Sequence, residues 1–489
     1  MLSDNPMFLL TSLDLSTAPV VCESNCACPN PGDMSIRQKT ISLDEHALYQ
    51  LAPTYTDRVA QRFFVAVGPW SNAGIAVFNQ PVHDLLNTFQ QPRSLLDGAY
   101  RAGNSPGRLN TARRLAQIGL LQCTDVIAKP PQFQSRTLTA WLHVTNTCNL
   151  QCPYCYVSKT NEQMTLQVGL RAVDAVFRSA LANRFQRVEL KYAGGEPTLN
   201  FDLVLALHDH ARYLANQHTL GLDDIVLSNG VALTDEMIEQ MQNRGIRLMI
   251  SLDGVGKDHD ALRSFADGRG SFDQVEQTLD RLAMYNFNPC ISITVSARNL
   301  GGLPQTVEYA LERGLPFNLN FYRENDCAST FDGLVSDEEP IIAAMQSVLS
   351  IIESRLPSYN LGALVDLVRL DSPHDRACGL GNTYLAINHR GGVAQCHMSL
   401  SRTVTDIRVA DPLRIIREGC SSWNLSVETK AECQNCMLRF WCGGGCPLST
   451  YRAKGRLDAR SPKCKIYQAL FPQLIRLEGL RILKYCNPA

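Results

Sequence analysis

The sequence predicts an α/β protein built around a partial (β/α)6 TIM barrel, and two observations support this prediction. Six short apolar runs alternate with amphipathic helical stretches, which is the pattern of a parallel sheet with helical crossovers. Glycine-rich or polar segments follow these runs directly, at the strand ends where barrel proteins place their chemistry. The strand candidates are 137–144, 188–192, 225–228, 247–251, 290–295 and 317–321.

Size and composition restrict the function classes. The chain has 489 residues, of which 45% are hydrophobic and 19% charged, and a formal net charge of −1. A charge this close to zero gives no general attraction to nucleic acid or to an anionic membrane, and no apolar run approaches the length of a membrane span. The first 36 residues contain no Lys or Arg, so we see no secretory signal. We therefore expect a cytoplasmic protein with neither a nucleic-acid nor a membrane partner.

Residues 1–44 form an irregular segment that carries Cys22, Cys26 and Cys28. These thiols could bind a metal, or they could be incidental thiols of a flexible tail. Residues 45–125 predict a small compact domain. Two strands are expected at 62–68 and 74–79, followed by helices over 82–89, 95–100 and 112–121.

Strands followed by three helices and a closing Ile-Gly-Leu-Leu resemble the winged-helix peptide-recognition element of peptide-modifying enzymes. The resemblance implies that residues 45–125 bind the leader segment of a precursor peptide as an added strand at a sheet edge. A purely structural winged helix is the alternative.

The predicted barrel domain, 135–330, carries Cys148, Cys152 and Cys155 directly after its first strand. Three thiolates at this spacing can bind three irons of a cubane and leave the fourth without a protein ligand. The alternatives are a zinc knuckle, for which His143 is the local fourth ligand, and ordinary buried thiols.

Together with Gly194-Gly195-Glu196-Pro197 after the second strand, this triplet resembles the radical S-adenosylmethionine (radical SAM) enzymes. The resemblance implies that the three cysteines hold a [4Fe-4S] cluster and that SAM chelates its open iron. It also implies SAM contacts from six further residues. Tyr154 would pack beside the adenine, Gly194, Gly195 and Glu196 would receive the amino group, and Ser251 and Arg263 would hold the ribose and carboxylate.

Residues 331–372 predict a helical linker, and 373–489 a cysteine-rich domain ending in a helix. Seven cysteines in this last domain resemble the SPASM extension of radical SAM enzymes. A zinc ribbon made by four of them is the alternative, but it would leave the other three unexplained. The seven are Cys378, Cys396, Cys433, Cys436, Cys442, Cys446 and Cys464.

The SPASM resemblance implies two auxiliary [4Fe-4S] clusters, for three clusters in all. Cys433, Cys436, Cys442 and Cys464 would hold one of them, and Cys378, Cys396 and Cys446 the other. Some relatives supply a further ligand six residues after the first cysteine, where this chain has Tyr384. Cys327, Cys420 or the substrate itself could take that place.

The resemblance as a whole implies a peptide maturase. SAM would be cleaved reductively to a 5′-deoxyadenosyl radical, and a precursor peptide would receive an oxidative thioether or carbon–carbon cross-link. An external donor such as flavodoxin or ferredoxin would supply electrons. Maturation of a sulfatase by formylglycine formation is an alternative, but that branch has Asp where this chain has His397. A non-catalytic iron–sulfur sensor or electron carrier is the alternative from another class.

Overall fold

The computed structural model describes residues 7–12, 43–103, 107–125, 135–328 and 331–485. Cys22, Cys26 and Cys28 lie outside the described residues. The described part before residue 126 has two small antiparallel sheets, ordered β1-β5-β4-β3 and β6-β2-β7, and three helices. Its elements are β1 (Leu9–Thr11), β2 (Leu48–Leu51), β3 (Tyr55–Ala60), β4 (Phe63–Val67), β5 (Ala76–Asn79), α1 (Gln80–Thr88), β6 (Arg93–Ser94), α2 (Leu95–Arg101), α3 (Arg108–Gln117) and β7 (Leu121–Cys123).

The two strands and three helices expected in this unit are present, but the third helix begins and ends four residues before the expected 112–121. It stops at Gln117, and the chain turns at Gly119, where φ is +81°. A Cβ on Gly119 would lie 2.1 Å from the Trp70 carbonyl oxygen, so the close approach of these two segments requires glycine. Leu121 consequently begins strand β7.

The barrel has the six parallel strands that the sequence predicts, in the spatial order of the chain. A helix or helices connect each strand to the next, which is the architecture of a partial TIM barrel. The elements are β8 (Thr137–Thr145), α4 (Leu166–Ala182), β9 (Arg187–Gly194), α5 (Phe201–His218), β10 (Gly221–Ser228), α6 (Asp235–Arg244), β11 (Arg247–Ser251), α7 (Lys257–Asp260), α8 (Phe272–Met284), β12 (Cys290–Val295), α9 (Leu303–Glu312) and β13 (Phe317–Phe321).

The barrel sheet continues beyond β8 into the cysteine-rich part of the chain. After α10 (Glu338–Ser354), strand β14 (Tyr384–Ile387) pairs parallel to β8, and β15 (Gly392–Ala394) and β16 (Thr403–Asp406) extend the sheet antiparallel to nine strands. The expected helical linker over 331–372 is therefore helical only in α10. Beyond α10, Val365 forms a parallel bridge with Leu319 of β13.

The remaining helices are α11 (Pro412–Cys420), α12 (Arg439–Cys442), α13 (Pro447–Lys454) and α14 (Cys464–Tyr485). Helix α14 joins the amino-terminal unit to the rest. A Cβ on Gly479 would lie 2.3 Å from Val65 Cγ1, and Arg476 Nη1 donates to the Val59 carbonyl at 2.8 Å. Among the helices in the described ranges, none combines the length and apolar character that crossing a membrane requires.

Candidate active site and cysteine arrays

The three barrel cysteines lie, half-buried, in the loop that follows β8. Backbone hydrogen bonds connect the start of this loop to the end of β9. Gly195 N donates to Thr145 O at 2.7 Å, and Glu196 N donates to Thr147 O at 2.8 Å. The Gly-Gly-Glu segment therefore fixes where the cysteine loop leaves the barrel.

Close backbone packing requires both glycines of this segment. A Cβ on Gly194 would lie 2.3 Å from Thr145 O, and one on Gly195 would lie 2.3 Å from Thr147 O. Backbone atoms cannot move aside as a flexible side chain can, so any larger residue would displace the cysteine loop. Backbone packing therefore requires these two glycines, in addition to their predicted role of letting the backbone approach SAM.

The chemistry of this loop fits a group that takes thiolate ligands. Burial raises the pKa of Cys148, and it raises the pKa of Cys155 to about 11. The nearby Cys152 thiol contributes to the rise at both cysteines. Lys159 lowers the pKa of both, and Leu150 N donates to Cys148 Sγ at 3.4 Å. Half-buried thiols that repel one another as anions are stabilised when cluster irons bind them.

Glu196 is completely buried and connects the ends of β9 and β10. Its Oε1 accepts from Thr198 N at 3.1 Å, Thr198 Oγ1 at 2.7 Å and Ser228 Oγ at 2.9 Å. Its Oε2 accepts from Asn229 N at 2.7 Å. Burial raises the pKa of the carboxyl group, and these donors oppose the rise. A carboxylate oxygen with one bond retains acceptor capacity, so Oε2 can receive a further donor.

Asn229 lies beside the cysteine loop, at the strand end where the sequence places the Asn-Gly dipeptide without giving it a role. Its Nδ2 donates to Asn149 Oδ1 at 2.7 Å and lies 3.9 Å from Cys148 Sγ. An amide aimed at a ligand sulfur is the kind of contact that tunes an iron–sulfur cluster. The available signal was the Asn-Gly dipeptide directly after the third barrel strand.

Tyr154, Asp253 and Arg263 form one hydrogen-bonded group. The Tyr154 hydroxyl donates to Asp253 Oδ2 and accepts from Arg263 Nη1, which lies 3.2 Å from the same carboxylate oxygen. Asp253 Oδ1 accepts from Thr294 N at 2.6 Å, so the group is anchored on β12. Burial raises the pKa of Tyr154 well above its usual value.

Arg263, for which the sequence predicts a contact with the SAM carboxylate, belongs to this group. The guanidinium already pairs with Asp253, while its Nε is buried without a hydrogen-bond partner among the described residues. Ser251 ends β11 at the same edge of the sheet, half-buried and in register with Ser292 of β12. The Asp-Gly dipeptide after the fourth strand predicts that Asp253 lies at this edge of the sheet, but no pattern in the sequence indicates its bonds to Tyr154 and Arg263.

Four cysteines of the second array line one partly enclosed cavity next to α14. Burial, together with the neighbouring thiols of the set, raises the pKa of Cys442 to about 12 and that of Cys464 to about 11. Arg439, Arg460 and Tyr467 line the same cavity. The four cysteines are Cys433, Cys436, Cys442 and Cys464.

The other three cysteines of the array lie nearby. Burial raises the pKa of Cys396 to about 12, with Cys446 adding to the rise and Arg323 opposing it. Asn424 Nδ2 donates to the Cys378 carbonyl at 2.7 Å and lies 3.9 Å from its Sγ.

Lys430 lies between the two sets of cysteines. Its side chain is buried, and Nζ lies 3.3 Å from Gly444 O. Burial lowers the pKa of Lys430, while Cys433 and Cys442 of one set and Cys378 and Cys446 of the other oppose the shift. A buried ammonium group thus faces thiols of both sets.

The two cysteines considered as a further ligand, and Tyr384 at the position where some relatives have that ligand, occupy distinct surroundings. The Tyr384 hydroxyl lies 3.0 Å from His397 Nδ1, and the His397 ring stacks on Trp141 with ring centroids 4.4 Å apart. Cys420 belongs to the main hydrophobic core, and Cys327 is exposed with its Sγ 3.3 Å from Tyr156 O.

Within the described ranges, no three His, Cys, Asp or Glu side chains surround one point closely enough to hold a single metal ion. A cluster takes its thiolates at separate irons, so its ligands need not meet at one point.

Comparison with known proteins gives the family of the barrel. Residues 142–312 match the model of the Radical SAM superfamily. The PqqA peptide cyclase of Bradyrhizobium diazoefficiens is 22% identical over 368 residues, a match that covers 69% of this chain and 90% of that protein.

Two solved structures share the fold. Native anSMEcpe with bound AdoMet has a TM-score of 0.58 and 17% identity, and the match covers 70% of this chain and 99% of that chain. Streptococcus suis SuiB bound to precursor peptide SuiA has a TM-score of 0.50 and 15% identity, covering 86% of this chain and 99% of that chain. The chain therefore contains a radical SAM domain and resembles the peptide-modifying, maturase-like members of the radical SAM superfamily.

Proposed function

We propose that this chain is a radical SAM/SPASM peptide maturase that introduces an oxidative cross-link, a thioether or a carbon–carbon bond, into a ribosomal precursor peptide. Cys148, Cys152 and Cys155 would hold the SAM-binding [4Fe-4S] cluster. When bound, that cluster and SAM would supply a 5′-deoxyadenosyl radical able to remove hydrogen from an unactivated carbon. The peptide class rests on the resemblance to PqqA peptide cyclase.

One observation carries the proposal. The cysteine loop lies at the carboxyl end of the first barrel strand, in contact with loops that follow the next three strands. Glu196 connects to it through the backbone, Asn229 through Asn149, and Asp253 through Tyr154. Ligands bind at this edge of parallel barrels because the variable loops meet there.

The chain's own residues have separable roles in this proposal. Arg263, held by Asp253, would present its unpartnered Nε to the SAM carboxylate, and Glu196 Oε2 would accept from the SAM amino group. Tyr154 would close the site beside the adenine, and Ser251 would contact the ribose. The tight packing of Gly194 and Gly195 would hold the cysteine loop in position for these contacts.

The cysteine-rich part is assigned two auxiliary [4Fe-4S] clusters. Cys433, Cys436, Cys442 and Cys464, which share one cavity, would hold the first, and Cys378, Cys396 and Cys446 the second. Closing a bond on a substrate radical leaves one electron to be removed, so redox centres near the barrel suit a net two-electron oxidation. The core position of Cys420 favours Cys327 or the substrate as the remaining ligand.

The amino-terminal unit is assigned the role of a winged-helix-like domain that binds a leader peptide. Its three helices follow the β3-β4-β5 sheet, as in the element that the sequence resembles. We place the enzyme in the cytoplasm, with flavodoxin or ferredoxin as electron donor, since the reaction needs low-potential electrons.

The test is the formation of 5′-deoxyadenosine by the anaerobically reconstituted, reduced protein with SAM. We expect the product from the wild type and at least a hundredfold less from Cys148→Ala. Cys123→Ala is the matched control, because Cys123 lies on β7, outside both cysteine arrays. Absence of the product with a precursor peptide present would contradict the proposal and favour the iron–sulfur sensor alternative. Zinc in place of iron in the purified protein would contradict the proposal as well and favour the zinc-site alternatives.

A further inference from the structure

Strand β1 is an addition to the edge of a sheet. It pairs antiparallel with β5, with Leu9 opposite Phe78, Leu10 opposite Val77 and Thr11 opposite Ala76. Residues 13–42 separate it from the rest of the amino-terminal unit in the chain. Strands β3, β4 and β5 already form a sheet without it, and β5 would then be an edge. Pairing of an extended segment with such an edge is a common mode of peptide recognition.

Contacts at both ends fix the register of β1. At one end, Asn79 N donates to Phe8 O at 3.2 Å, and Asn79 Oδ1 lies 3.4 Å from Phe8 N and from Val82 N at the start of α1. At the other end, Ser12 N donates to Ile75 O at 3.0 Å, and Ile75 N donates to Ser12 Oγ at 3.1 Å. Gly74 makes room for Ser12, because a Cβ there would lie 2.9 Å from Ser12 Cβ.

The side chains on both faces of β1 pack against apolar residues. Phe8 is 5% exposed and packs edge-to-face on Phe63 with ring centroids 5.3 Å apart, and Leu10 packs on the same core. Met7 and Leu9 pack against the separate core formed with α1 and α3. The site thus accepts four consecutive apolar residues followed by two hydroxyl residues, with pockets for alternate side chains on opposite faces.

We infer that the edge of β5 is a peptide-binding site and that residues 7–12 are its tethered occupant. A precursor peptide with the same pattern, an aromatic residue among aliphatic residues followed by Thr or Ser, exchanges with β1 at this edge. The inference rests on the proposed function, because it names the recognition sequence of the peptide that the maturase would modify. Because the occupant belongs to the same chain as the site, a free peptide competes with an intramolecular partner.

The test is a binding measurement on the full chain, with fluorescence anisotropy of a labelled peptide corresponding to residues 5–13. The double variant Phe8→Asp and Leu10→Asp weakens the tethered strand and is expected to bind this peptide at least tenfold more tightly than the wild type does. The control variant is Leu48→Asp, an exposed apolar residue of the same unit that should bind as the wild type does. A peptide with Ala in place of its Phe should bind the double variant at least tenfold more weakly.

Equal binding of the peptide to the double variant and the wild type would overturn the inference, as would no binding to either. Hydrogen exchange on the wild-type chain gives a second, independent measurement. If a free peptide can replace β1, the amide hydrogen of Ser12 should exchange with solvent at least tenfold faster than the amide hydrogens of β4. Equal protection of these amides would overturn the inference. Neither measurement requires SAM or clusters, so failure here is distinguishable from failure to form 5′-deoxyadenosine.

Discussion

Substituting Ala for Gly195 should displace the cysteine loop without touching a cysteine. The new Cβ would lie 2.3 Å from Thr147 O and 2.7 Å from Asn146 O, and both neighbours are backbone atoms. The segments must separate to admit the methyl group. That movement stretches the hydrogen bonds from Gly195 N to Thr145 O and from Glu196 N to Thr147 O, at present 2.7 and 2.8 Å.

The magnitude follows from these contacts. Overpacking one methyl group in a close-packed region costs about 1–3 kcal/mol. Weakening two backbone hydrogen bonds adds about 1 kcal/mol for each. The free energy of unfolding should therefore fall by about 3–5 kcal/mol, far more than an ordinary Gly→Ala change in a loop.

Urea unfolding followed by circular dichroism measures this difference. Gly301→Ala is the matched control, because no atom lies within 4 Å of its added Cβ. It should change the free energy of unfolding by no more than about 0.5 kcal/mol. Iron content per chain after anaerobic reconstitution gives a second readout, which should fall in Gly195→Ala and remain unchanged in the control. If Gly195→Ala unfolds at the same urea concentration as the wild type, the close-packing argument is wrong.

Three further perturbations have defined outcomes. Lys430→Met removes a buried cation beside both cysteine sets and should lower auxiliary-cluster potentials by on the order of 100 mV, measured by redox titration, since a nearby unit charge is worth a few kcal/mol. Burial lowers the pKa of His259 to about 3, so the native state stays neutral while the unfolded state protonates below about pH 6.5. Wild-type stability should therefore fall by about 2 kcal/mol between pH 7 and 5, more steeply than that of His259→Gln. Arg481→Met leaves the buried Glu478 carboxylate without its ion-pair partner and should cost about 3–5 kcal/mol in urea unfolding. Arg456→Met, at an exposed pair with Asp458, should leave the urea midpoint nearly unchanged.

Each of these three outcomes has a contrary result that would count against its physical basis. Unchanged cluster potentials in Lys430→Met would mean that its ammonium group does not act on the clusters. Parallel pH profiles for the wild type and His259→Gln would mean that the buried imidazole titrates normally. Equal losses in Arg481→Met and Arg456→Met would mean that burial does not decide the value of these ion pairs.

Local patterns in the sequence were enough to predict the barrel strands. Each is a short, mostly buried run that is followed by an amphipathic helix or a turn, and all except 317–321 contain β-branched residues, as 290–295 does. Strand β14 was not predicted, because Tyr384–Ile387 is only four residues long and lies between cysteines, where no flanking helix marks it. Strand β1 was not predicted either, since its partner β5 lies far along the chain.

The candidate site was predictable in its ligands and less so in the residues around them. Cysteine spacing is a local signal, so both arrays could be proposed from the sequence. The link between Tyr154 and Asp253 joins residues 99 positions apart, and that between Tyr154 and Arg263 spans 109 positions. Closure of the barrel brings such residues together, and no local pattern encodes it. Lys430 was also missed, because folding brings it close to cysteines of both sets, and no local pattern encodes that arrangement.

Strand β14 makes the barrel and the cysteine-rich part share one sheet, through its parallel pairing with β8. A chimaera that joined this barrel to the carboxyl-terminal part of a relative at residue 372 would therefore exchange a strand of the barrel sheet itself. Four backbone pairings, from Tyr384 opposite Thr139 to Ile387 opposite Leu142, would have to be re-formed by foreign residues. Grafting substrate preferences between such proteins should thus succeed at the amino-terminal unit before it succeeds at this junction.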